Sequence, residues 1–98
     1  MNMYISNEAA AYMKEDLQAE SGESVRFFVR YGGCGNIQTG FSLGVAKEDP
    51  VEPATFIESA GVRFYVEEQD NWYFDGLPFY IEWSRSRQEI TFRHGETV

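Results

Sequence analysis

Hydrophobic and polar residues alternate over much of the chain, and this pattern predicts a domain built mainly of β-strands. From Val25 to Tyr31, large apolar residues occupy every second position, as expected of a strand with one buried face. Similar runs predict further strands at 39–46, 55–58, 62–66, 78–84 and 89–93. The turn residues Ser59-Ala60-Gly61 predict that two of these strands form a hairpin.

One segment near the N-terminus has the period of a helix instead. Ser6 or Asn7 can cap a helix over about residues 8–20, and Ser21-Gly22 can end it. Its apolar residues recur at helical spacing and form one narrow stripe, Ala9, Ala10, Met13 and Leu17.

A second, shorter helical turn is expected within residues 67–74, just before the turn signal Asp75-Gly76. One N-terminal helix followed by mostly antiparallel strands indicates an α+β, β-rich fold class.

The strand predicted at 39–46 has two unequal faces. Its large residues alternate with small ones, namely Gly40, Ser42, Gly44 and Ala46. Glycine within a strand usually marks the close approach of another part of the structure. We therefore expect a helix, a second sheet or a partner chain on the small face, and we predict a homodimer.

Length and charge narrow the classes of protein that the chain can represent. Its 98 residues fit a single domain, residues 1–98, with a formal net charge of −8. This charge argues against binding to nucleic acid or to an anionic membrane surface, because both attract basic proteins. No signal-peptide pattern is present, and no apolar run approaches the roughly 20 residues that span a bilayer. With one cysteine, and so no internal disulfide, the chain is expected in the reducing cytoplasm.

The single cysteine, Cys34, lies in a glycine-rich break between two predicted strands. Gly32, Gly33 and Gly35 let the backbone approach a bound group, so this loop is the candidate cofactor-binding segment and Cys34 the candidate metal ligand. The alternative is a tight turn that needs positive φ, with a cysteine that has no metal role. A nucleophilic Cys34 needs a nearby base or positive charge. The sequence shows no group of acid and base residues that indicates an active site, and we expect no enzymatic activity.

Two further patterns carry other candidates. Glu67, Glu68 and Asp70 could bind a hard cation, but their spacing lacks the regular loop of a calcium site, and a solvated acidic turn is the alternative. The surplus of aromatic residues is compatible with a protein interface. The arginines on or beside the strands are expected to pair across the sheet with three glutamates, Glu58, Glu82 and Glu89.

The order of these motifs resembles that of the HesB-like family, the A-type iron–sulfur carrier superfamily. The resemblance extends from about Tyr4 to Phe92 and is sharpest at Gly32-Gly33-Cys34 with its flanking strands, followed by Asp75-Gly76. It implies a compact pseudo-barrel or sandwich of strands and a tendency to form dimers or higher oligomers. It also implies a part in iron–sulfur cluster assembly, with iron or a cluster bound through three cysteines.

The sequence departs from this family at the other two cysteines. In the family, the first cysteine corresponds to Cys34, and the remaining two form a Cys-Gly-Cys pair after the last strand. Here the last predicted strand is followed by His94-Gly95-Glu96-Thr97-Val98. Two hypotheses stay open. The chain binds iron or a cluster weakly through Cys34 in an oligomer, with assembly or client proteins as partners. Alternatively, it has lost metal binding and acts as a protein-interaction module.

Overall fold

The structure, a computed structural model, describes residues 2–31 and 41–94. These residues form the following elements in chain order: β1 (Met3–Ile5), α1 (Asn7–Asp16), β2 (Ser24–Tyr31), β3 (Phe41–Lys47), β4 (Pro53–Ser59), β5 (Val62–Glu67), a 3₁₀ helix (Glu68–Phe74), β6 (Phe79–Ser84) and β7 (Glu89–His94). The α+β, β-rich prediction is confirmed, and so is the short helical turn after β5. The pattern did not predict β1.

The strands form two sheets. A three-stranded sheet has the order β1-β6-β7, and a four-stranded sheet has the order β3-β2-β5-β4. β1 runs parallel to β6 and β2 runs parallel to β5, whereas the other three neighbouring pairs are antiparallel. The two parallel pairs connect strands that are distant in the chain, so each sheet depends on long-range contacts.

The core lies between the two sheets and has a cluster of aromatic rings at its centre. Phe27 of β2 stands at its centre, with ring centroids 6.1 Å from Phe64, 5.6 Å from Phe79 and 5.9 Å from Phe92. Edge-to-face and offset arrangements at these separations are favourable for aromatic pairs. Because Phe79 and Phe92 belong to the three-stranded sheet, this cluster joins the two sheets.

The helix α1 begins as predicted and ends early. The Ser6 hydroxyl accepts a hydrogen bond from the Ala9 backbone N–H at 3.1 Å, which confirms an N-cap. The predicted end at Ser21-Gly22 is wrong, because the helix finishes at Asp16 and Gln18 has a φ of 54°. A glutamine thus occupies the left-handed conformation that glycine usually supplies after a helix.

The small face of β3 is covered from within the chain. A Cβ atom on Gly44 would lie 2.6 Å from Cε2 of Phe28 and 2.7 Å from Cδ of Arg30, both on the neighbouring strand β2. The expectation of a separate layer or a partner chain is therefore wrong at Gly44, because the Phe28 ring already fills this space. Gly40 lies outside the described residues, and the homodimer stays a prediction without this support.

No helix in the described ranges has both the length and the apolar character needed to cross a bilayer.

Candidate functional site

The glycine–cysteine loop joins β2 to β3. Gly32, Gly33, Cys34 and Gly35 lie outside the described residues, so the cofactor-binding and metal-ligand predictions stay predictions. The strands on either side pair in continuous antiparallel register from Val25 with Lys47 to Tyr31 with Phe41. The loop is therefore carried by a regular hairpin.

The donor set of one chain does not fit an iron–sulfur cluster. A [2Fe–2S] cluster takes four protein ligands, mainly thiolates, and the sequence contains one cysteine. Within residues 2–31 and 41–94, no group of three or more histidine, cysteine, aspartate or glutamate side chains is arranged to hold a metal ion. Any cluster bound through Cys34 would need ligands from a second chain or from solution.

Two of the three acidic residues proposed for a hard cation, Glu67 and Asp70, have structural partners instead, and the third, Glu68, is exposed. Both carboxylate oxygens of Glu67 accept hydrogen bonds from the backbone N–H groups of Val51 and Glu52, at 3.1–3.3 Å. Asp70 forms an ion pair with Arg26. Glu67 thus holds the loop between β3 and β4 against the end of β5.

Arg26 is the centre of a half-buried ion-pair network. One terminal nitrogen lies 2.8 Å from Glu48 and the other 2.9 Å from Asp70. Burial alone would lower the pKa of Arg26, but the hydrogen bonds to Asp70 and Glu48 outweigh it and raise the pKa. The network ties β2 to the loop after β3 and to the 3₁₀ helix.

Tyr65 is fully buried beside this network. Its hydroxyl donates a hydrogen bond of 2.8 Å to the backbone carbonyl of Glu48. Burial raises the pKa of Tyr65 to about 12, and the negative charges of Glu67, Glu48 and Asp49 add to the increase. Tyr65 therefore does not contribute to the aromatic surface.

The arginine pairing predicted across the sheet is confirmed in part. Arg93 of β7 makes two hydrogen bonds to Glu82 of β6, at 3.1 and 3.0 Å. Arg87 lies 3.4 Å from Glu89, but this pair is local to the turn before β7 and does not cross the sheet. Arg63 stands opposite Glu58 in the strand register, yet its guanidinium lies over an aromatic ring, 5.2 Å from the ring centre.

Four aromatic side chains are prominent on the described surface. They are exposed by 43–58%: Tyr4, Tyr12, Phe56 and Trp72. Tyr4 stacks on Tyr80 with ring centroids 5.1 Å apart, and Tyr12 contacts Trp83 at 4.7 Å. Because tyrosine and tryptophan are enriched in protein interfaces, these rings support the predicted interaction surface.

One of these rings borders an apolar groove of about 280 Å³ between α1, β3 and β7. We call it the α1–β3–β7 groove. Its lining is apolar except for one carboxylate: Tyr12, Met13, Asp16, Leu17, Val45, Ile90 and Phe92. Sequence reasoning missed this groove, because residues from three separated segments form it.

The fold and the position of the cysteine loop define the class of protein. The sequence model of the iron–sulphur cluster biosynthesis family matches residues 1–96 of the chain. The chain therefore belongs to this family. This confirms the HesB-like resemblance. A crystal structure of Escherichia coli SufA, involved in the biosynthesis of iron–sulfur clusters, superposes with a TM-score of 0.62 at 19% identity. The match covers 96% of this chain and 86% of SufA, and it confirms the fold.

Among individual relatives, a Bacillus subtilis protein named pyruvate dehydrogenase inhibitor is 49% identical over 94 residues. The alignment covers 96% of this chain and 99% of that protein. An uncharacterized protein of Staphylococcus saprophyticus is 34% identical over 95 residues, which cover 94% and 97% of the two chains.

Proposed function

We propose that this chain is a protein-interaction module that binds pyruvate dehydrogenase and lowers its activity, acting in the cytoplasm by binding and not by catalysis. The observation that carries the proposal is the end-to-end similarity to the Bacillus subtilis pyruvate dehydrogenase inhibitor. Nearly half of the residues are identical and almost the whole of both chains is aligned, and this extent of similarity supports a common function.

The chemistry of the chain supports an interaction role over cluster transfer. With one cysteine, a single chain lacks the thiolates that hold a cluster. The buried carboxylates Glu67 and Asp70 are engaged in holding the fold together. The exposed aromatic rings are the kind of side chain that contributes most to protein interfaces.

The test is an inhibition assay with the purified chain and pyruvate dehydrogenase of Bacillus subtilis. The rate of pyruvate oxidation is measured against increasing concentrations of wild type and of Cys34→Ser. We expect saturable inhibition with the same half-inhibitory concentration for both proteins, because the proposed contact needs no metal. Unchanged activity at a large molar excess of the wild-type chain would refute the proposal.

A second candidate function is weak binding of iron or a cluster between two chains, through Cys34 of each. Membership of the iron–sulphur cluster biosynthesis family and the retained Gly-Gly-Cys loop favour it. Anaerobic reconstitution with iron and sulfide, followed by visible absorption and light scattering, tests it. We expect a coloured homodimer for wild type and a colourless protein for Cys34→Ser; equal absorption from both would exclude Cys34 as the ligand.

A further inference from the structure

The sandwich is open on one side. Residues that face the core from central strands, such as Phe64 of β5 and Ile81 of β6, are fully buried. By contrast, Val45, Ile90 and Phe92 are only partly buried, although they face the same core. β3 and β7 are the outermost strands of their sheets, so no further strand within residues 2–31 and 41–94 covers this side. The α1–β3–β7 groove is the resulting gap.

We propose that the α1–β3–β7 groove docks a segment of pyruvate dehydrogenase that carries apolar anchor side chains and a lysine or arginine. This inference rests on the proposed function and assigns the surface responsible for it. At about 280 Å³, the groove lies at the lower limit of the roughly 300–1,000 Å³ of pockets that enclose a drug-sized ligand. Its volume suits a few protruding side chains of a protein partner.

Asp16 gives the α1–β3–β7 groove a preference for a positively charged partner. It is exposed at the rim of the groove, and no hydrogen bond or ion pair engages its side chain within the part of the chain that the structure describes. Glu8 pairs with Arg85 and Glu23 with Lys47, whereas Glu15 lies outside the groove, so Asp16 is the carboxylate that lines it. A partner that covers Asp16 must provide hydrogen-bond donors, because an unpaired carboxylate is costly to remove from water. A lysine or arginine supplies them together with the opposite charge, which also suits the formal net charge of −8.

The net charge argues that the occupant is not a second copy. Each chain carries a formal charge of −8, so two copies docked through this groove would place two acidic surfaces, each with an unpaired Asp16, against one another. Like charges brought together at an interface oppose association. A basic segment of a different protein is complementary both to the rim and to the whole chain.

Tyr12 is the expected anchor of the interface. It is 43% exposed at the edge of the groove, and its ring is held by Trp83 at a centroid distance of 4.7 Å. A tyrosine that is already ordered loses little conformational freedom on binding, and truncated interface tyrosines are often among the most costly.

The experiment measures binding of the purified chain to Bacillus subtilis pyruvate dehydrogenase by surface plasmon resonance, with two matched pairs of variants. Asp16→Lys is compared with Glu15→Lys, which makes the same charge change on the neighbouring residue, outside the groove. Tyr12→Ala is compared with Tyr4→Ala, because Tyr4 is similarly exposed and also stacked but lies elsewhere. Thermal melting verifies that each variant folds.

We expect Asp16→Lys to weaken binding by about fivefold or more, since a favourable ion pair becomes a repulsion. Tyr12→Ala should weaken binding by about 30-fold, as expected for the loss of an aromatic anchor. Glu15→Lys and Tyr4→Ala should stay within about twofold of wild type. If Tyr12→Ala does not fold, the Asp16→Lys and Glu15→Lys pair decides.

Three results would overturn the inference, and they can be told apart. Equal effects within each pair, with wild type binding, would show that the groove is not the docking surface. A wild-type dimer in light scattering that is lost in Tyr12→Ala would show that a second copy occupies the groove. Absence of wild-type binding would instead refute the proposed function, and with it this surface.

Discussion

The two carboxylates that contact Arg26 should contribute very differently to stability, although their distances are nearly equal. Glu48 and Asp70 lie 2.8 and 2.9 Å from the guanidinium. The Glu48 side chain is 50% exposed, whereas those of Asp70 and Arg26 are 11% and 14% exposed. Burial, and not distance, therefore distinguishes the two ion pairs.

The magnitudes follow from this difference in burial. Asp70→Ala leaves a largely buried cation without its buried partner, which costs about 3–5 kcal/mol in fully buried pairs. Because Glu48 still contacts Arg26, we expect Asp70→Ala to lower the free energy of unfolding by about 2–4 kcal/mol. Glu48→Ala removes a half-exposed partner, and such pairs contribute at most about 1 kcal/mol.

Urea unfolding followed by tryptophan fluorescence measures both variants, at low salt and at 1 M salt. High salt should reduce the effect of Glu48→Ala, because the Debye length falls to about 3 Å, and should change that of Asp70→Ala little. Asp70→Asn serves as the control that keeps the shape of the side chain and removes its charge. Equal losses of free energy for Asp70→Ala and Glu48→Ala would refute the argument from burial.

Three further outcomes are expected. Gly44→Ala should destabilise by about 1–2 kcal/mol because the new methyl group displaces the Phe28 ring. In a Phe28→Ala background only the flexible Arg30 side chain has to move, so the cost should be smaller, and an equal cost in both backgrounds would contradict this. Tyr65 has a folded-state pKa of about 12 and an unfolded value near 10, so the unfolded state loses its proton first and stability falls as pH rises above about 10. Tyr65→Phe should remove this part of the alkaline slope, measured by urea unfolding at pH 8–11; an unchanged slope would count against the raised pKa. Ser6→Ala should cost about 1 kcal/mol in thermal unfolding through loss of the N-cap, and no change would show that the cap is dispensable.

Local features of the fold could be predicted from the sequence because neighbouring residues determine them. The hairpin between β4 and β5 turns at Ala60 and Gly61, both with positive φ, and Asp75-Gly76 also has positive φ. Glycine and aspartate in these positions follow the turn chemistry of short connections, whereas a positive φ is uncommon for an alanine such as Ala60. The alternation in β2 likewise predicted which of its faces is buried.

Features that depend on distant residues were missed or misjudged. β1 has only three residues and exists because β6 pairs with it, so its own pattern carries no strand signal. The small face of β3 was attributed to another layer, whereas side chains of the adjacent strand fill it. The α1–β3–β7 groove depends on how two sheets and a helix meet, which residue spacing alone does not determine.

The parallel pairing of β1 with β6 has a consequence for the order of folding. The four-stranded sheet uses one continuous stretch, from β2 to β5, whereas the three-stranded sheet needs both ends of the chain. During synthesis the four-stranded sheet can therefore assemble before β6 has left the ribosome, while β1 and α1 still lack the strand that they contact. Contacts between such distant segments slow folding, and the exposed inner face of the four-stranded sheet is the surface that a chaperone would have to shield in this interval.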